Sequence, residues 1–102
     1  MKITKNGRRC TVLLDGDIDH CSARSMREMI DRYVNEEKPE VLCLDFSKIK
    51  FMDSSGIGLI MGRYKLIKIL GGRLVIAGVS EGISRIIKLS GLGTLGIVKE
   101  ER

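Results

Sequence analysis

The stretch VLCLDF at residues 41–46 is followed closely by FMDSSGIG at residues 51–58, and these two segments decide the fold. The first is a short apolar run without polar alternation, which is typical of a central strand covered on both faces or nearly so. The second lies where a strand gives way to a helix that begins around Ser54 or Ser55. We therefore predict a buried strand that leads into a helix.

The N-terminal side of this core segment carries turn and helix signals. Asn6-Gly7 predicts a type I′ turn between two strands, the second of which ends at about Asp15. Apolar residues at helical spacing between Ala23 and Val34 predict a helix, which Pro39 closes because the residue before a proline is pushed out of helical geometry.

The C-terminal side repeats the alternation of helices and short apolar runs. The second helix stops at Gly71-Gly72, and LVIA at residues 74–77 is the next buried strand. Ser80 caps a third helix that ends at Gly91. Residues 97–98 form a last short edge strand before the charged tail KEER at residues 99–102.

This order of elements is a β-hairpin followed by three helix–strand units. Strands separated by single helices are most simply parallel and joined by right-handed crossovers. We predict one α/β domain over residues 1–102, with a mixed β-sheet, helices packed on it and an N-terminal β-hairpin.

Composition excludes several classes of protein. The chain has 102 residues, 43% of them hydrophobic and 30% charged, which suits one small globular domain. Uncharged stretches fall short of the roughly 20 residues of a membrane span, and the N-terminus lacks the apolar segment of a signal peptide. We expect a cytoplasmic protein without a membrane role. Three cysteines predict no disulfide framework.

Candidate metal and catalytic motifs fail on their spacing. Asp15, Asp17 and Asp19 alternate like a calcium loop, but His20 and Met26 stand where that loop needs glycine and glutamate. The single histidine and the lack of a C-x-x-C pair argue against zinc. The G-x-S-x-G elbow of serine hydrolases is absent. We predict no metal, no cofactor and no enzyme activity.

The junction at residues 51–58 contains more than a helix cap. Gly56 and Gly58 each disfavour a helix by about 0.8–1.0 kcal/mol relative to alanine, so their presence indicates close approach of another group to this backbone. A helix start with serine hydroxyls favours a phosphate there. The chain lacks a P-loop lysine, and Asp53 repels a free anion. A phosphorylated serine therefore fits better than a bound phosphate ligand. The pattern does not choose between Ser54 and Ser55.

FMDSSGIG, continued by GRYK at residues 62–65, resembles the phosphorylation segment of the bacterial anti-sigma factor antagonists of the STAS domain family. GDIDH at residues 16–20 resembles a loop of the same family. The resemblance implies an anti-anti-sigma factor whose unphosphorylated form binds an anti-sigma factor with serine kinase activity and so releases the sigma factor. The kinase modifies the serine directly after the aspartate, here Ser54, and a PP2C-type serine phosphatase reverses the change.

The resemblance also implies a docking surface and a cellular role. The residues of that surface are Asp19, Asp53, Ser54, Ser55, Gly56, Ile57 and Gly58. The role is partner switching in sporulation, with a stress-response module or another switching module as the alternative within the family.

Two functions from other classes remain as alternatives. The net charge of +5 and a run from Ser54 to Ser80 with basic residues but no acid favour a weak nucleic-acid-binding module. Its basic residues are Arg63, Lys65, Lys68 and Arg73. Because aromatic interleaving is lacking, we interpret this run as a solvated helix face and predict no specific nucleic-acid partner. A small enzyme would need a base near Ser54, and His20 or an aspartate would have to serve.

Overall fold

A computed structural model describes residues 1–100 of the chain, and Glu101 and Arg102 of the predicted charged tail lie outside the described residues. The elements in chain order are β1 (Lys2–Asn6), β2 (Arg9–Ile18), α1 (His20–Glu37), β3 (Val41–Met52), α2 (Ser54–Ile69), β4 (Arg73–Ala77), α3 (Glu81–Leu89) and β5 (Val98–Glu100). A 3₁₀ turn at Leu92–Leu95 precedes β5.

The strands form one sheet in the order β1-β2-β3-β4-β5. β1 pairs antiparallel with β2, and the other neighbours are parallel. Each parallel pair is joined through one helix, as right-handed crossovers require. The predicted mixed sheet with an N-terminal hairpin is therefore confirmed.

The two faces of the sheet are closed in different ways. Leu42, Leu44 and Phe46 alternate into the main core, which also contains the buried hydrophobic residues of all three helices. The residues between them point the other way, where Cys43 forms a small cluster with Val75 and Ala77. Residues 42–46 are all buried, as predicted for a central strand, although the helices cover only one face.

An ion pair crosses the face that carries no helices. Arg9 Nη2 donates to Glu100 Oε1 at 2.8 Å, joining the start of β2 to the described end of β5. This hydrogen bond is the main cause that raises the pKa of Arg9. Both side chains remain partly exposed, so the pair adds at most about 1 kcal/mol to stability.

The hairpin turn differs from the prediction by one residue. Asn6 pairs with Arg9, so the two-residue loop is Gly7-Arg8 rather than Asn6-Gly7. Gly7 has a φ of +61°, and neither Asn6 nor Arg8 has a positive φ. Positive φ at the first central position alone is the pattern of a type II′ turn, for which glycine at that position is the preferred residue.

Two strands are longer than predicted. β2 continues past Asp15 to Ile18, and β3 continues past Phe46 to Met52. Two register shifts, each with one extra residue in β3, keep the strands paired up to Ile18 and Met52. Beyond Phe46 the apolar run gives way to a mixed pattern, in which Ile49 and Met52 are buried and two exposed residues precede each of them. A half-buried strand of this kind extends the fully buried one.

The helix ends follow their sequence signals. Lys38, just before Pro39, is the C-cap of α1 and has a φ of +46°. At the end of α2, the N–H groups of Gly71 and Gly72 donate to the carbonyls of Lys68 and Ile67, which is the Schellman arrangement. Ser80 accepts from the Ile83 N–H as the predicted cap of α3.

A largely buried ion pair joins α1 to α2. Arg63 is only 5% exposed, and its Nε lies 2.7 Å from Asp31 Oδ1. That contact does not meet hydrogen-bond geometry, whereas Nη2 donates to Oδ2 at 3.2 Å. Burial is the main cause that raises the pKa of Asp31 and lowers the pKa of Arg63, and it outweighs the attraction between them. The pair therefore orients the helices at a cost in desolvation.

Asp31→Asn is expected to lower the free energy of unfolding at pH 7 by about 1–3 kcal/mol, because it leaves the buried guanidinium of Arg63 without its opposite charge. Chemical denaturation measures the effect. An unchanged or higher free energy of unfolding would show that the cost of desolvating the pair exceeds its attraction.

Candidate functional site

The sheet brings two helix starts together at one edge. Ile18 and Met52 are paired residues at the ends of neighbouring parallel strands, and the Asp53 N–H donates to the Ile18 carbonyl at 3.1 Å. Asp19 and Asp53, the residues that follow these two strands, are the N-caps of α1 and α2. The structure thus places the two predicted aspartates at the ends of neighbouring strands, on the same edge of the sheet.

Asp19 has a structural role at the start of α1. Its Oδ1 accepts from the Ser22 N–H at 2.9 Å, and its own N–H donates to Ser22 Oγ at 2.9 Å. The backbone hydrogen bond from Ser22 is the main cause that lowers the pKa of Asp19. This capping box holds the carboxylate at the surface next to the α2 start.

Asp53, rather than Ser54, caps α2. Its Oδ1 accepts from the Ser55 N–H at 2.8 Å, and its carbonyl accepts from the Gly56 N–H at 3.0 Å. Ser54 is the first helical residue and is exposed, whereas Ser55 is partly buried. Because the aspartate satisfies the helix start, the Ser54 hydroxyl is not needed as a cap and faces solvent at the positive end of the helix.

The two glycines of the junction have different surroundings. Gly56 is buried, and a Cβ there would overlap the side chain of Met52. The close approach predicted at this backbone therefore comes from the protein's own core. Gly58 is exposed, and a Cβ there would meet nothing within 4 Å. Only Gly58 keeps its backbone open to an external group.

A groove of about 450 Å³ lies between the starts of α1 and α2. The residues that line it are His20, Ala23, Arg24, Arg27, Ser55, Gly58 and Leu59. Of these, only Ser55 and Gly58 belong to the docking surface predicted from sequence. Arg24 and Arg27 of α1 carry no functional signal of their own in the sequence. Recognising them requires knowing that α1 and α2 lie side by side.

Two apolar residues flank the exposed serine. Phe51 is 54% exposed although it precedes the cap by only two residues, and its ring is available for contact with a partner. Ile57 is partly buried and packs against the main core, so it contributes to the fold as well as to the surface. The sequence pattern did not distinguish these two environments.

The basic run from Arg63 to Arg73 is not a single solvated helix face, since α2 ends at Ile69 and Arg73 begins β4. Arg63 is buried in the ion pair with Asp31, whereas Lys65, Lys68 and Arg73 are exposed. The interpretation of Arg63 as solvated is wrong, because its guanidinium lies between the two helices. The nucleic-acid alternative loses the first of its four cations for the same reason.

The described part of the chain, residues 1–100, contains no group of three or more His, Cys, Asp or Glu residues that could hold a metal ion. None of its helices is long and apolar enough to span a membrane. A cavity of about 760 Å³ lies between the ends of β3–β5 and the start of α3, and none of the predicted site residues line it.

The fold and the site define a small α/β domain in which two capped helix starts present one serine-bearing surface. The family model of the STAS domain matches residues 1–99. The chain therefore belongs to the STAS domain family.

Curated relatives and solved structures agree with this membership. The anti-sigma F factor antagonist of Paenibacillus polymyxa is 37% identical over 81 residues, which are 79% of this chain and 69% of the relative. The anti-sigma-B factor antagonist of Bacillus subtilis is 30% identical over 90 residues, which are 88% of this chain and 81% of that protein. The unphosphorylated anti-sigma factor antagonist SpoIIAA superposes with a TM-score of 0.85 at 24% identity, covering 99% and 86% of the two chains.

These findings confirm the resemblance that residues 51–58 indicated. The predicted fold class is confirmed by the same structural similarity. The prediction of a binding protein rather than an enzyme is also confirmed, since the relatives are named for the factors that they antagonise. The roles of Asp19 and of Asp53–Gly58 stay predictions.

Proposed function

We propose that this protein is an anti-sigma factor antagonist that works by partner switching. Its unphosphorylated form binds an anti-sigma factor with serine kinase activity and thereby frees the sigma factor. The bound kinase then phosphorylates Ser54, and a PP2C-type serine phosphatase restores the binding form. Because these partners act on transcription and use ATP, the proposed location is the cytoplasm.

The observation that carries this proposal is the exposed Ser54 at the first turn of α2, beside a cap that Asp53 supplies. The hydroxyl is reachable by a kinase, and the helix start favours negative charge by about 0.3–1 kcal/mol. A phosphate there adds about −1.5 to −2 charges without removing a hydrogen bond on which the fold depends. The domain therefore keeps its structure while its docking surface changes.

The proposed docking surface consists of Asp19 and Asp53–Gly58, with Gly58 as its open backbone position. A partner packed against Ser54 would have to accommodate the bulk of a phosphate and bury its charge. Burying an uncompensated charge at an interface costs about 2–5 kcal/mol. Such a cost is sufficient to separate the two proteins without a large conformational change.

Purified anti-sigma F factor of Paenibacillus polymyxa provides the direct test, because the relative that antagonises it shares 37% identity with this chain. We expect a stable complex by calorimetry without ATP, and its dissociation with phosphate transfer when ATP is added. Serum albumin is the negative control. Absence of binding to this factor and to the anti-sigma-B factor of Bacillus subtilis would contradict the proposed function.

The affinities for the anti-sigma F factor and for the anti-sigma-B factor also distinguish the sporulation role from the stress-response role. The relative at 37% identity is named for anti-sigma F, whereas the relative at 30% identity is named for anti-sigma-B. We favour the sporulation module on this difference. Tighter binding to the anti-sigma-B factor would instead support the stress-response alternative.

A further inference from the structure

We propose that the groove between α1 and α2 is part of the docking surface and that it receives an acidic segment of the partner protein. This inference rests on the proposed function, because the partner is the same anti-sigma factor. It assigns a chemistry to the contact, namely a carboxylate side chain held by Arg24 and Arg27.

The shape of the groove follows from small residues on both walls. Ala23 of α1 and Gly58 of α2 line it together, and Gly58 has open space where a Cβ would stand. Leu59 is nearly fully buried and contributes an apolar contact. A side chain from another protein can therefore enter between the two helices next to Ser55.

The charge of the groove is one-sided. Its described lining contains two arginines and no carboxylate. Among residues 1–100, Arg24 forms an exposed salt bridge with Glu28 of the same helix at 3.4 Å. Arg27 takes part in none of the salt bridges found among residues 1–100.

Glu28 contacts Arg24 through Nε at an exposed position, and Asp31 forms its ion pair with Arg63 while it also attracts Arg27. Asp19 accepts from Ser22. Such exposed contacts are weak, so the arginine forks can exchange them for a carboxylate from outside, which arginine binds with two parallel hydrogen bonds.

The groove can be tested without the partner, using a hexaglutamate peptide and ¹⁵N-labelled protein. We expect amide shifts concentrated at His20–Arg27 and at Ser55–Leu59, and their loss in Arg24→Glu/Arg27→Glu. Arg32→Glu is the matched control, because Arg32 is exposed on the same helix and does not line the groove. Equal shifts at Lys65, Lys68 and Arg73 would overturn the proposal, since they would indicate attraction to charge in general.

The second measurement uses the anti-sigma F factor of Paenibacillus polymyxa. Arg27→Glu is expected to weaken binding at least 10-fold and to reduce its salt dependence, whereas Arg32→Glu changes it less than 2-fold. Thermal unfolding verifies that both variants fold. If the wild type binds and the two variants bind equally, the groove proposal is wrong while the proposed function stands. If the wild type does not bind, the proposed function fails, and the peptide result alone decides whether the groove takes an acidic segment.

Discussion

Gly56→Ala is expected to lower the free energy of unfolding by about 1–2 kcal/mol, whereas Gly58→Ala is expected to raise it by up to about 1 kcal/mol. A Cβ at position 56 would overlap the Met52 side chain, which is 3% exposed within the main core. Overpacking of this kind typically costs about 1–3 kcal/mol, and the gain in helix propensity offsets part of it. Position 58 gains the same propensity without a clash.

Chemical denaturation of the two variants measures this difference, and Met52→Ala provides the internal control. Met52→Ala alone should cost about 2–5 kcal/mol because it leaves a cavity. In the double variant Gly56→Ala/Met52→Ala, the added methyl group lies in that cavity, so the loss is smaller than the sum of the single losses. Additive losses would show that Met52 does not restrict position 56.

The same two positions separate stability from binding. Gly58→Ala is expected to fold at least as well as the wild type and yet to bind the anti-sigma factor more weakly, because its methyl group projects from the docking surface. Gly56→Ala is expected to reduce binding only by the fraction of the variant that is unfolded, because Gly56 is buried. A Gly58→Ala variant with unchanged affinity would remove Gly58 from the docking surface.

The sequence was sufficient for the order of elements because each one carries its own local signal. Pro39, Gly71-Gly72 and Ser80 end or begin helices through backbone effects that act within a few residues. The extension of β3 to Met52 was missed because its second half is stabilised by pairing with β2 rather than by an apolar run of its own. Strand pairing of this kind depends on residues far apart in the chain.

The candidate site likewise has one part that local sequence signals predict and another part that depends on long-range packing. Asp53, Ser54 and Ser55 belong to a short motif, so residues 51–58 indicated this helix start, and the family resemblance chose Ser54 over Ser55. The burial of Arg63 and the groove beside Arg27 depend on how α1 packs against α2. Periodicity within one helix cannot distinguish an arginine that faces solvent from one that faces a neighbouring helix. Long-range packing, rather than composition, assigns the positive charges of this protein to different roles.

Ser54→Asp is expected to weaken binding to the anti-sigma factor about 100-fold, equivalent to about 2.7 kcal/mol, while the domain stays folded. The negative charge lies at the first helical residue of α2, where the helix dipole favours it. The thermal midpoint should therefore be equal to that of the wild type or slightly higher. In the complex, the same charge has to be buried against a partner surface, and the cost of its desolvation lowers the affinity.

Ser54→Ala and Ser55→Ala complete the test. Ser54→Ala should bind as tightly as the wild type, take up no phosphate from ATP and stay in the complex. Ser55→Ala should still be phosphorylated and released, because Ser55 is partly buried beside the cap, whereas Ser54 is exposed. Phosphate on Ser54→Ala, detected by intact mass, would contradict the assignment of Ser54. Tight binding by Ser54→Asp would instead contradict an electrostatic switch, because the charge would then be tolerated inside the interface.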